Sequence, residues 1–96
     1  MSDRIDAAII ALNARLNGAA LDGTAKFVVP GEGAILVDNS GARAGDDAAD
    51  VTLTADGEVF EAIIQGDLDP ATAFMSGKLG IDGDMGLALK LAGALG

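Results

Sequence analysis

A chain of 96 residues is long enough for one domain with one core, and too short for two. Its net charge of −9, with only six Lys and Arg, excludes the cationic footprint that a nucleic acid requires. It has no cysteine and no histidine, which excludes disulfides, thiolate metal sites and the commonest general base.

In chain order, Ile5, Ile9, Leu12 and Leu16 recur at i, i+4, i+7 and i+11, with Arg4, Asp6, Asn13 and Arg15 between them. That spacing predicts an amphipathic helix of about four turns. Ser2 or Asp3 is suited to cap its start, and Asn17-Gly18 to stop it. Residues 25–29 and 34–38 are two β-rich runs on either side of Pro30-Gly31-Glu32-Gly33, the pattern of a hairpin. Period-two alternation sets Phe27 and Val29 on one face of the first strand, and Ile35 and Val37 on one face of the second. Asn39-Ser40-Gly41 is a further turn, and 42–45 reads as a short edge strand at most. Asp46, Asp47 and Asp50 crowd the next connection. Val51, Leu53 and Ala55 then alternate with Thr52 and Thr54, predicting a strand with its threonines outward.

Asp56 stands where an N-cap would open a helix over 57–65, with Val59, Phe60, Ile63 and Ile64 as its buried stripe and Gly66 as its end. Asp69-Pro70 is a second helix start, because the carboxylate caps orphan N–H groups and proline at the first turn loses no hydrogen bond. That helix runs over 70–75 and ends at Ser76-Gly77. A last strand over 78–82 puts Leu79 and Ile81 on one face, and Asp84 caps a final helix over 85–95. The order of elements is that of an α+β fold: one domain over 1–96, a mainly antiparallel sheet of hairpin-linked strands, and helices covering one face. Met1 to Asp6 hold no apolar signal core. The longest nearly apolar run, 85–95, falls short of the roughly 20 residues of a membrane span. The expectation is a soluble cytoplasmic protein without stable membrane insertion.

The side chains that carry chemistry do not assemble into a catalytic set. Asp46, Asp47 and Asp50 lack the glycine and terminal glutamate of a calcium loop and read as a solvated connection. Asp82-Gly83-Asp84 pairs two carboxylates, but Asp84 is explained as a cap. Gly31-Glu32-Gly33 precedes no helix and so is no phosphate loop. Lys78 and Lys90 stand isolated. Met85, Leu87, Ala88, Leu89, Leu91, Ala92 and Leu95, by contrast, wrap most of the final helix. A helix apolar all round must be covered by something: its own core, a second subunit, or a bound hydrophobic ligand. Phe60, Phe74, Met75 and Met85 are the large, adaptable side chains of this half, suited to core filling or to repacking around a ligand.

Gly66-Asp67-Leu68-Asp69-Pro70, Ala73-Phe74-Met75, Gly77-Lys78-Leu79, Ile81, Gly83-Asp84-Met85 and Leu87-Ala88-Leu89-Lys90-Leu91, with Ala49-Asp50-Val51-Thr52-Leu53-Thr54 and the Phe60-containing helix upstream, resemble the sterol carrier protein type-two family, the sterol-binding or lipid-transfer domain. The resemblance covers about residues 20–95 and is most specific over 66–91. It implies a five-stranded sheet covered on one face by about four helices, with a hydrophobic tunnel between. It also implies non-covalent binding of sterols, fatty acids, fatty acyl-CoA or phospholipids, here in a small stand-alone version. The chain departs from the family in its acidity. Gly80 and Asp82 stand where basic residues are common, which speaks against anionic membranes and acyl-CoA phosphates.

The expected function is the carrying of a lipid or other hydrophobic small molecule, without a catalytic residue, metal or cofactor and without a nucleic-acid partner. The expected tunnel residues are Phe27, Ile35, Leu53, Phe60, Ile63, Ile64, Phe74, Met75, Leu79, Ile81, Met85 and Leu89, with Val51 and Val59 beside them. The competing reading is an accessory or homodimerising module that works through its apolar C-terminal helix, as in isoprenoid quinone or lipid metabolism.

Overall fold

The computed structural model describes residues 3–16, 21 and 23–95. The elements follow the order α1 (Asp3–Leu16), β1 (Ala25–Val29), β2 (Gly33–Asp38), β3 (Gly41–Ala44), β4 (Val51–Ala55), α2 (Gly57–Gln65), α3 (Pro70–Met75), β5 (Leu79–Gly83) and α4 (Met85–Leu95). The fold is α+β, a five-stranded sheet with four helices. The predicted cap at Ser2 and stop at Asn17-Gly18 lie outside the described residues.

The strand order is β3-β2-β1-β4-β5. Three of the neighbouring pairs are antiparallel, and β1 and β4 are parallel. The hairpin pattern alone extends the sheet strand by strand and would set β4 beside β3. Asp50 is the reason it does not. Its N–H donates to the Thr24 carbonyl at 2.8 Å, and its Oδ2 accepts the Thr24 N–H at 2.9 Å. The two residues preceding β1 and β4 are thereby tied side by side, and the strands leave in the same direction. The chain reaches that point across the face away from the helices. There Gly45 lies against Leu36 and Asp46 pairs with Lys26 Nζ at 3.1 Å. Leu36, on the uncovered face, is buried for this reason.

The register aligns Ile35, Phe27, Leu53 and Ile81 in one row across β2, β1, β4 and β5. With Val29, Val37, Val51, Ala55 and Leu79 this row belongs to the core, which the helices complete with Ile5, Leu12, Phe60, Ile63, Ala73, Leu87 and Leu91 among others. Removing these side chains from water is the main stabilising term. Arg4 ties the layers at one edge, reaching Glu32 in the turn of the first hairpin and Glu61 on α2, each at 3.2 Å. A Cβ at Gly57 would meet that guanidinium and the Glu32 carboxylate, so a side chain there would displace the flexible ends of this ion pair.

Candidate functional site: an apolar cavity

The cavity lies above β1, β4 and β5, between α3 and α4. Phe27, Leu53, Leu79 and Ile81 form its floor, with Ile63 of α2 and Leu91 of α4 closing it behind. Pro70, Ala71, Phe74 and Met75 of α3 form one wall, and Met85, Ala88, Leu89 and Ala92 of α4 the other. Its volume is about 250 Å³. None of the lining residues carries a charge or a polar side chain.

Local chemistry fixes both walls. Asp69 Oδ1 accepts the Ala71 N–H at 2.9 Å, and Pro70 occupies the first turn of α3. Asp84 Oδ1 accepts the Leu87 N–H at 3.1 Å and starts α4. Gly66 ends α2 in the left-handed region at φ 83°, directing its N–H back to the carbonyls of Ala62 and Ile63. Asp56 occupies the N-cap position of α2 with extended backbone, but its side chain makes no capping hydrogen bond.

Depth and exposure divide the lining. Phe27, Leu53, Ile63, Leu79 and Leu91 are buried. Phe74, Met75, Met85 and Leu89 are 42 %, 85 %, 44 % and 67 % exposed, and mark where the cavity meets solvent. Large apolar side chains so exposed, in a rim around a carbon-lined hollow, are a feature of binding surfaces.

Of the tunnel residues expected from the sequence, Phe27, Leu53, Ile63, Phe74, Met75, Leu79, Ile81, Met85 and Leu89 come together around this cavity. Ile35, Phe60, Ile64 and Val51 do not line it. Ile35 shares the Phe27 row but sits on β2, in the part of the sheet that α1 covers. Phe60 packs behind Phe27, with ring centroids 4.9 Å apart, and is 1 % exposed. Ile64 and Val51 are buried core, and Val59 packs against that core from its edge. Pro70, Ala71, Ala88, Leu91 and Ala92 line the cavity without having been singled out as site residues. A signal for part of this set existed. Met85, Leu89 and Ala92 fall at i, i+4 and i+7, one stripe of α4, with Ala88 and Leu91 beside it at the border of cavity and core and Leu87 in the core.

A second, more open groove adjoins the cavity across Ile63, Pro70 and Ala92, and is lined there by Arg15, Gln65 and Asp69. The other charged candidates lie elsewhere. Asp46 and Asp50 have the structural roles given above, and among the described residues no three acidic side chains converge to hold a metal ion. Among the same residues no helix is long and apolar enough to cross a membrane.

A five-stranded sheet roofed by helices around a compartment without polar side chains defines a class of small hydrophobic-ligand binding folds. Residues 4–96 match the SCP-2 sterol transfer family, and the chain belongs to it. It is 58 % identical over 43 residues to hydroxysteroid dehydrogenase-like protein 2 of Danio rerio, a match covering 45 % of this chain and 10 % of that protein. It is 41 % identical over 61 residues to sterol carrier protein 2 of Homo sapiens, covering 64 % of this chain and again 10 % of that protein. The matched segment is thus a tenth of the length of either relative. Among solved structures, that of palmitated SCP2L2 from Aedes aegypti aligns with a TM-score of 0.76 and 27 % identity, covering 99 % of this chain and 95 % of that one.

Proposed function

We propose that the chain binds the hydrocarbon part of a lipid in the α3–α4 cavity and carries it without covalent chemistry. The observation that supports this most directly is the lining itself, a compartment of about 250 Å³ walled only by apolar side chains and opening at an exposed apolar rim. The palmitated Aedes aegypti relative supports the same reading. A fatty acid, a fatty acyl group or a sterol-like molecule fits this chemistry, with its polar end left outside. The chain's charge of −9 favours a reading with no nucleic-acid partner and no anionic membrane.

Each buried methylene contributes about 0.8 kcal/mol, so about ten give about 8 kcal/mol before the costs of association. After those costs the affinity is about micromolar or weaker, which suits exchange. Left empty and dry, a hollow of this volume costs up to about 6 kcal/mol at 24 cal/mol per Å³, comparable to the stability of a small domain. Occupancy therefore stabilises the fold by mass action. Native mass spectrometry of gently purified protein, with uptake of a dansyl-labelled fatty acid, tests the reading. A bound lipid and saturable uptake are expected; neither being seen would sink it.

The accessory or dimerising alternative keeps one observation in its favour, the exposure of Leu89 and Met75. Leu91 is fully buried and cannot be its contact residue. Sedimentation of Leu89→Asp at micromolar concentration separates the two, since a dimer lost on that change while lipid uptake persists would favour the alternative.

A further inference from the structure

The oxidisable side chains of this protein are unusually placed. The chain has no Cys, His, Trp or Tyr, so its sulfur is confined to three methionines. Met1 lies outside the described residues. Met75 and Met85 are the other two, and both line the cavity where it opens, one at the end of α3 and one at the start of α4. Both are exposed to reagents in water, at 85 % and 44 %. The buried core, from Ile5 to Leu91, contains only Ala, Leu, Ile, Val and Phe. Among the described residues, mild oxidants therefore have no target in the buried core and two at the mouth.

We propose that Met75 and Met85 are modification sites at which oxidation by a hydroperoxide weakens lipid retention. The proposal rests on the carrier reading of the same cavity. The thioether sulfur attacks the distal peroxide oxygen. An S–O bond forms and the O–O bond breaks, and the hydroxyl proton moves to the departing oxygen. Methionine becomes sulfoxide by loss of two electrons, and the hydroperoxide is reduced to water or an alcohol. The product replaces a soft apolar surface by a strong dipole that requires hydrogen bonds. At the rim those bonds come from water. Water drawn to the rim opposes closure of Met75 and Met85 over a hydrocarbon tail. The floor, built of Phe27, Leu53 and Leu79, is unchanged, so the site loses affinity without losing its shape. Sulfoxide reductases reverse the change, which makes it a switch and not only damage.

The test treats the full chain with hydrogen peroxide, verifies sulfoxide at residues 75 and 85 by peptide mass analysis, and titrates a dansyl-labelled fatty acid before and after. Dissociation constants about tenfold or more higher after oxidation are expected, with an unchanged far-ultraviolet spectrum and recovery on treatment with the two methionine sulfoxide reductases. In the double variant Met75→Leu/Met85→Leu the affinity, whatever its starting value, should be the same before and after peroxide. Equal affinity of the verified sulfoxide form, or equal sensitivity in the double variant, overturns the proposal and leaves the carrier reading intact. Absence of uptake by the unoxidised protein overturns both. Should the double variant fail to fold, the rate of sulfoxide formation in the unmodified chain decides. Saturating palmitate should slow it at Met85, and an unchanged rate would overturn the proposal.

Discussion

Over β2 and β3, α1 runs for 14 residues and buries Ile5, Ala8, Leu12 and Leu16, while the strands below contribute Ile35, Val37 and Ala42. Over β4 and β5 the cover is α3, of six residues, and α4, of eleven. Among the described residues the first region is filled by buried side chains and is here the solid one, while the second encloses the cavity, although both are apolar. Two differences account for this. The long helix is clamped to its sheet edge: Asn13 Oδ1 accepts the Ala42 N–H at 2.8 Å, and Asn13 Nδ2 donates to the Ala42 carbonyl at 3.1 Å. The short one buries only Pro70 and Ala73 and keeps Phe74 and Met75 at the mouth. Its opposite wall presents Ala88 and Ala92, whose methyl groups do not span the gap. A hollow arises where small side chains and a short helix face a sheet that a longer, fully side-chained helix would fill.

The largest test of that contrast removes volume from the solid region. Leu12 is fully buried, so Leu12→Ala is expected to cost about 2–5 kcal/mol, measured by urea unfolding. Lipid uptake by the fraction still folded should be close to that of the parent, because Leu12 does not line the cavity. Adding volume to the hollow region should do the opposite. Ala92→Phe is expected to lower affinity for a labelled fatty acid about tenfold or more, and to leave stability unchanged or raise it by about 0.5–2 kcal/mol as fillers of cavities do. If Ala92→Phe unfolds the protein instead, the region is already packed and the contrast is wrong.

The clamp gives a smaller effect. Asn13 is exposed, so water partly replaces its bonds, and Asn13→Ala should cost about 1 kcal/mol. The specific readout is hydrogen exchange: the Ala42 amide should lose protection while amides of β4 keep theirs.

Much of this contrast was legible before any coordinates, and the missing part has a physical cause. The stripe Ile5, Ile9, Leu12, Leu16 announced α1, and Asp69-Pro70 announced α3, because helix periodicity and capping are local. Strand faces were legible for the same reason, so Phe27, Leu53, Leu79 and Ile81 could be set on one side. Strand order was not. The parallel β1–β4 pair depends on the bonds between Asp50 and Thr24, 26 residues apart, and no local pattern encodes them. Local pattern therefore groups Ile35 with the cavity, although β2 lies on the side of β1 away from β4. Phe60 lies outside the lining for another reason. A large aromatic on the inner stripe of a helix satisfies the pattern for a lining residue and for the second layer behind one, and only its packing on Phe27 distinguishes them. The alanines of the walls were the converse case: what they contribute is the space they leave.

The smallest expected effect concerns the turn between β2 and β3, at the solid end of the sheet. Asp38 accepts a hydrogen bond from Arg43 Nη1 at 2.8 Å and one from the Ser40 N–H, also at 2.8 Å. The Arg43 bond, followed by that of Ser40, holds the Asp38 carboxyl below its ordinary value of 3.8. A depressed carboxylate stabilises the folded state at pH values above the unfolded one, and this contribution is lost as pH falls from about 3.8 through the lower folded value. The pair is exposed to solvent, which screens it and keeps the contribution small. Carboxyl NMR titration should find Asp38 below 3.8, and Arg43→Ala should return it toward that value. At neutral pH the same substitution should leave fatty-acid uptake unaltered, because Arg43 sits on the edge strand farthest from β5. A loss of uptake on Arg43→Ala would mean that the two ends of the sheet are coupled, and that the hollow end is held open by the solid one.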